Sequence, residues 1–557
     1  MTEHQPIATA CTLAAAEDLD AALICAVAAG RAVRIGPELF GRVRQRRMAA
    51  CEVLSRGAPV YGVNTGLGAL ADVRLTEPQQ RSHQRNLLLA RATGGPPWLD
   101  AADVRALLAV RLRTFLSGDS GVSAELCQRL VDFLDAGIVP AVPRTGAGSA
   151  GEIIPLAHTF GPLAGIGQVL GPAGETRPAR DALREHGLDE FPLGPKEGIA
   201  LLAGVPGATA LCVRRCAEAV ALQARMEAAA ALSIVAAGAP RDPYLDACAR
   251  GDEILGQVLR RLRQAIGDIP GARVREPSAA EPSAAHPSAT EPSATEPSAT
   301  QSSAAQSSAA HPSAAQSSAT DPRAPHPSAA HPSAPDHSAI QAPASFRVAG
   351  PVLTHLLRSA DRLASAASRA LTGVTDSPAF LDGRFVGTAG FHGLDLSAHC
   401  DQLTAALTHA CEISAARVHR LLDSRVTGLP AQLAATPGPD TGLVTVHKRA
   451  AGETHAMRRL AIPTATGLIE TSGGQEDVQS FAWEAAEALR QAMQHANAVT
   501  ACELLTAYQA IALSSRPAPP GCRGVLAWLA GIVGPIDADR PFGEDIERLR
   551  HADWPAG

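Results

Sequence analysis

The chain has 557 residues, 46% of them hydrophobic and only 3% aromatic, with a formal net charge of -6. This length and apolar content specify a globular protein with a large core. An acidic balance without a basic face argues against nucleic acid as a partner. The eleven cysteines have no zinc-like spacing, their number is odd and no secretory leader is evident, so the sequence predicts a cytoplasmic protein without a bound metal. No apolar run approaches a membrane span. Alanine fills the place of the missing aromatic residues and favours helix. The excess of arginine over two lysines, Lys196 and Lys448, fits a bacterial gene of high GC content.

In chain order, residues 19–56 carry apolar side chains at three- and four-residue spacing, which predicts helix. Residues 59–68 (PVYGVNTGLG) place Gly62, Gly66 and Gly68 so close together that they read as a tight loop. Residues 84–95 (QRNLLLARATGG) read as a helix with a glycine stop. Arg91, near its end, is either a solvated surface group or a guanidinium suited to an anion. Residues 142–158 (VPRTGAGSAGEIIPLAH) set Gly146, Gly148 and Gly151 before an apolar helix start. That pattern is either an ordinary loop before a core helix or an anion or electrophile site at a helix N-terminus. Long Ala/Leu/Arg helices follow to about residue 268, and Cys212 and Cys216 read as core side chains on one of them. Pentads such as Glu276-Pro277-Ser278-Ala279-Ala280 then recur to about residue 339. A proline every fifth residue and little apolar bulk predict a disordered insertion there. It divides the chain into an N-terminal part (1–275), the insertion (276–343) and a C-terminal part (344–557), whose last long helix pattern covers 499–513.

The stretch at 142–158 resembles the prosthetic-group loop of the histidine and aromatic amino acid ammonia-lyases. In that family Ala-Ser-Gly, followed by Asp and Leu-Ala-Pro-Leu-Ala-His, cyclises with loss of two waters to a methylidene-imidazolone electrophile. Pro155, Leu156, Ala157 and His158 match, but the tripeptide reads Ser149-Ala150-Gly151 and is followed by Glu152. Alanine has no hydroxyl to lose, so the normal electrophile is expected to be absent and no cofactor is expected. Residues 59–68 resemble the family's Tyr-Gly-x-Asn-Thr-Gly-x-Gly loop, which implies Tyr61 as acid/base. The pair that selects the substrate side chain falls on Ala90 and Arg91. Residues 194–202 (GPKEGIALL) also match, whereas the family's Asn-Gly-Thr that follows is Ala203-Gly204-Val205 here. Ser345-Phe346-Arg347 resembles the segment with the carboxylate-binding arginine, flanked by Ala344 and Ala349 in place of tyrosine and glutamine. Gly390-Phe391-His392-Gly393 resembles Asn-Phe-His-Gly, and Gln475-Glu476-Asp477 keeps a family triplet whose glutamate lies near the substrate amine or ring.

The resemblance implies an all-α fold on a long central helix bundle, and a homotetramer whose active sites draw residues from three chains. It implies a small, amino-acid-derived substrate, bound by Arg347, Arg91, Ala90, Phe391 and Gln475 with Tyr61 and Glu476 as catalytic groups. Ala150, Ala203, Ala344, Ala349 and Gly390 all replace polar lining residues, so a wider pocket is expected. The expected function is lyase-type elimination, addition or isomerisation without the electrophile. A non-catalytic subunit or ligand-binding scaffold is one alternative. An active lyase with a ring shifted to Gly148-Ser149-Ala150 is another.

Overall fold

The computed structural model describes residues 10–267 and 341–555. The pentad repeats of 276–339 lie outside the described residues. Helices dominate, as predicted. Those that matter for the site are α1 (Glu77–Leu89), α2 (Ala101–Leu116), α3 (Ile153–Phe160), α4 (Glu197–Leu202), α5 (Pro206–Ala237), α6 (Ala349–Thr372), α7 (Leu394–Leu421), α8 (Val444–Leu460) and α9 (Ala482–Leu513). The long helices α5, α6, α7 and α9 pack along one another, with α2 against α5 and α8 against α7 and α9. Short β-pairings decorate the bundle: a parallel pair, Cys11–Leu13 with Val33–Ile35, a three-stranded antiparallel sheet around Gln168–Leu170, and a hairpin from Ala379–Leu381 to Arg384–Val386.

The composition explains the bundle. Helix α5 starts on a proline in its first turn, where the missing N–H costs nothing, and stops at Gly238 in the left-handed conformation. Ala229, Ala230 and Ala231 of α5 and Ala485, Ala486, Ala492 and Ala496 of α9 are buried. Such small side chains let helix axes approach closely. Near the C-terminal ends of α5 and α7, Glu503 of α9 accepts hydrogen bonds from Ser233 (2.7 Å), Ser414 and Arg417 (Nη2, 2.9 Å). Glu503 and Arg417 are both buried. A buried ion pair this well bonded fixes how three helices register against each other.

Two sequence expectations need correction. The helix expected over 19–56 is broken into Ala21–Ala28, the strand Val33–Ile35 and Pro37–Ser55. Gly30, at φ +108, stops the first piece, and Gly36-Pro37 starts the second. A stretch long and apolar enough to cross a membrane does exist, from Glu197 to Ala237, across α4 and α5. Two-thirds of its most apolar window is buried against the rest of the molecule, as befits a core helix.

Candidate active site

The tripeptide Ser149-Ala150-Gly151 lies where α3 and α5 begin and α4 ends. Glu152, the next residue, holds it there. Its carboxylate accepts hydrogen bonds from Gly207 N (2.7 Å) and Ala208 N (2.6 Å), in the first turn of α5. A helix start leaves these N–H groups without partners and favours negative charge. Burial nevertheless dominates and pushes the Glu152 carboxyl up to about 7, against the two amides and the Arg111 guanidinium, while Glu484 raises it further. Gly207 must be glycine, because a Cβ there would lie 2.3 Å from the Trp483 ring. From the other side, the start of α9 grips the same loop: Trp483 Nε1 donates to Arg144 O (2.8 Å) and Ala147 N donates to Glu484 (3.0 Å).

The loop bearing Tyr61 is fixed from beneath. Buried Asn64 accepts from Val60 N (2.7 Å) and donates to Ala58 O (2.8 Å). Buried Gln84 of α1 donates to Gly62 O (3.0 Å) and accepts from Ile199 N of α4 (3.2 Å). Gly62 has φ +66, a conformation costly for other residues. The Tyr61 Oη accepts from Gly68 N at 2.9 Å. Its own O–H donates to none of the described residues, so that proton is free to exchange with a ligand.

Behind the cavity sits a second layer of buried charge. Arg111 donates to the carbonyl of Ala203 and lies over the rings of Phe115 and Phe160. Complete burial lowers its guanidinium to about 10, opposed by Asp376 and Glu152. Lys196 pairs with Asp376 at 2.9 Å, both fully buried, and burial pulls the lysine down despite its partner. His158 accepts from Gly94 N at Nε2 (2.9 Å) and faces Ala141 O with Nδ1 (3.1 Å), bonds that assign a neutral ring protonated at Nδ1. It fastens two loops and takes no part in the cavity wall.

These elements enclose a cavity of about 650 Å³. Its wall includes Tyr61, Arg91, Ser149, Ala150, Gly151, Phe391, Gln475 and Glu476, so eight of the sequence-predicted residues come together from five separate segments. Glu476 Oε2 accepts from Ala150 N (3.1 Å) and Thr471 Oγ1 (3.2 Å), whereas its Oε1 takes no hydrogen bond from the described residues. Ser149 Oγ donates to Gly151 O (2.9 Å). The rest of the wall is mainly apolar, with Leu67, Ile153, Ile154, Ile199 and Leu202.

Other predicted residues lie elsewhere. Ala90 caps the C-terminus of α1 and is exposed, off the cavity wall. Neighbouring residues of a helical turn point about 100° apart, so only Arg91 of that pair faces inward. Arg347 sits at the opposite end of the bundle. Tyr244, beyond the C-terminus of α5, donates to Phe346 O, and Arg417 donates to Ser345 O (3.2 Å). The 32 residues of α5 separate that end from the cavity, a span of about 48 Å. Within one chain, Arg347 and Tyr61 therefore cannot share a ligand. Of the five positions expected to widen the pocket, only Ala150 and Ala203 line it. Ala344 and Ala349 lie beside Arg347. Gly390 has a backbone reason instead, since a Cβ there would be 1.9 Å from Val374 O. Reading the sequence for ligand contacts missed Glu152, Glu484, Gln84 and Arg111, which position the wall without forming it. For Glu152, Glu484 and Arg111 the signal available was a polar residue set between apolar or small neighbours; Gln84, between His83 and Arg85, carried none.

Among the described residues no cluster of His, Cys, Asp and Glu is placed to hold a metal, and all eleven cysteines are free. Cys212 is buried as predicted, 3.4 Å from Cys400, and Cys216 is half-buried.

Comparison with known proteins fits this geometry. The family model for aromatic amino acid lyase matches residues 19–268 and 278–530. A histidine ammonia-lyase from Streptomyces avermitilis is 32% identical over 533 residues, covering 94% of this chain and 92% of that protein. Among solved structures, the tyrosine aminomutase of Streptomyces globisporus superposes with a TM-score of 0.81 at 23% identity, covering 97% of this chain and 96% of that one. The ergothionase of Treponema denticola gives 0.79 at 22%, covering 97% and 98%. At those identities the structural likeness speaks to the fold. The family match and the sequence relative together carry the assignment: the chain belongs to the aromatic amino acid lyase family.

Proposed function

We propose that this protein eliminates, adds or shifts an amino group on a carboxylate-bearing, amino-acid-derived substrate, without a methylidene-imidazolone. The observation that carries the reading is one cavity in which the Tyr61 phenol and the Glu476 carboxylate face the same space over a tripeptide whose middle side chain is a methyl. The residues present do not fit the family's electrophile at this register. Ala150 offers no leaving group, and Ala203 offers no amide to support one.

Without that electrophile the substrate must make its own β-hydrogen acidic, for example through an acyl group on the β-carbon. Tyr61, once its phenolic proton has passed to solvent, then removes the β-proton with its Oη. The electron pair forms the carbon–carbon double bond, and the C–N bond breaks to release the ammonium group as ammonia. Glu476, oriented by the Ala150 amide and the Thr471 hydroxyl, holds the ammonium before it leaves. Charge-assisted hydrogen bonds of this kind are the strong ones. The α-carboxylate is received by Arg347 of a second copy of the chain in a homotetramer. Two features of Arg347 support that role: among the described residues its Nε is buried without a partner, and Nη1 makes only a 3.2 Å contact to Gln341.

Two measurements test the reading. Intact mass of the purified chain should show no loss of two waters; a two-water deficit mapped to the peptide around Ser149 would instead support the shifted ring. Ammonia release should be seen with the β-thioester of L-aspartate but not with free L-histidine, L-phenylalanine or L-tyrosine. Tyr61→Phe should abolish that release while leaving binding nearly intact, because only the proton-transfer oxygen is lost. Ammonia from any of the three free amino acids sinks the proposal.

A further inference from the structure

Among the described residues, Arg91 and Glu476 are the only charged ones on the cavity wall. They share the space without an ion pair: among the described residues no carboxylate lies within salt-bridge distance of the Arg91 guanidinium. Its single hydrogen bond runs from Nη1 to Leu87 O of its own helix, at 3.3 Å. That contact caps a helix end and uses one of five N–H donors. The group is nonetheless desolvated: burial lowers its pKa, with the charges of Tyr61 and Glu476 opposing the shift. A half-buried guanidinium normally meets a carboxylate, because an uncompensated charge in such a place is costly. Other buried guanidiniums of this molecule are committed within the chain: Arg113 donates to the carbonyls of Leu371, Ala16 and Leu19, and Arg111 donates to that of Ala203 and lies over two phenyl rings. Arg215, Arg417 and Arg490, all buried, each pair with an acid.

We propose that the missing counter-charge is the substrate's own, and that the site takes an α-amino acid whose side chain ends in an anion held by Arg91. This rests on the reading of the cavity as an amino-acid site. In that reading Glu476 faces the ammonium, and Arg347 of a neighbouring copy takes the α-carboxylate. Arg91 is then left for a third polar group. Its planar fork suits a carboxylate, a sulfonate or a phosphonate, each of which accepts two parallel hydrogen bonds. The volume of about 650 Å³ leaves room for the side chain between these contacts, and Ile153, Ile154 and Ile199 supply apolar contact for its methylenes.

Calorimetric titration of the full chain with four probes tests this. L-glutamate and L-homocysteate carry the anion; L-glutamine and L-norvaline have similar shape without it. The two acidic probes should bind at least about tenfold tighter than L-glutamine, a difference of about 1.4 kcal/mol. Arg91→Ala should erase that preference and leave L-glutamine binding within about twofold, and Arg91→Lys should restore part of it, since the charge returns without the fork. Melting curves of both variants establish that they fold. The proposal is overturned if neutral and acidic probes bind the wild type alike, or if Arg91→Ala weakens all four equally, which makes Arg91 the α-carboxylate receptor. If none of the four binds the wild type, the amino-acid reading of the cavity fails with it.

Discussion

The two ends of the long helices treat buried charge in opposite ways. At the end where α5 and α7 finish, Glu503 is saturated by Ser233, Ser414 and Arg417. At the other end Arg91 and Glu476 look into one cavity with donors and an oxygen uncommitted. The first arrangement does all its bonding within the chain and serves to align helices. The second keeps bonding capacity in reserve, which is useful only to a ligand. The same residue types therefore have different jobs, and the test that separates them is what happens when one is removed.

The largest effect should come from the closed end. Glu503→Ala leaves the buried Arg417 guanidinium without its partner, a loss that costs about 3–5 kcal/mol in such settings. Chemical denaturation should show a matching fall in stability. Glu476→Gln, at the open end, should change stability by no more than about 1 kcal/mol, because its carboxylate is partly solvated and bonded to one amide and one hydroxyl. It should instead abolish amine release. Equal destabilisation by the two changes would mean that the cavity wall is as structurally committed as the bundle, and the contrast would fail.

Much of this arrangement was legible in the sequence, and the exceptions have physical causes. Tyr61, Arg91, Ser149, Phe391 and Glu476 could be placed together because each sits in a short string that resembles a motif of the lyase family, and the glycines in several of those strings dictate a loop conformation. Gly62 at φ +66 and Gly204 at φ +81 are such constraints made visible. The neighbours of those strings were harder. Ala90 and Arg91 are adjacent in sequence yet face different ways, and a single helical turn decides which. Gly390 read as a lost side chain, whereas the approach of the Val374 carbonyl forbids any side chain in this backbone. Arg347 was expected to hold the substrate carboxylate opposite Tyr61, but its distance from Tyr61 within one chain depends on the length of α5, which no local motif encodes. Glu152 drew notice only as the residue after the tripeptide. Its bonds to Gly207 and Ala208 join segments more than fifty residues apart, which periodicity cannot reveal.

Glu152 also provides the finest test of the contrast, since it belongs to the open end but is itself closed off. Burial raises its carboxyl from the ordinary 4.5 to about 7. Between those values the folded chain keeps a proton that the unfolded chain has released. Stability from this source is complete below about pH 4.5 and drains away as pH rises through 7, because the buried group must then lose its proton or the fold must open. Arg111 and the two amides of α5 work against this shift, and Glu484 works with it, so the net direction is a competition that burial wins. Glu152→Gln keeps an acceptor for the helix start but cannot titrate. Melting temperatures of the wild type should therefore fall relative to those of Glu152→Gln as pH is raised from 4.5 to 7, with other titrating groups common to both and cancelling in the difference. Two parallel curves would mean that the helix start and Arg111 hold Glu152 as an anion throughout. In that case the loop carrying Ser149, Ala150 and Gly151 would be pinned to α5 by a full charge, bonded as completely as Glu503 is at the far end.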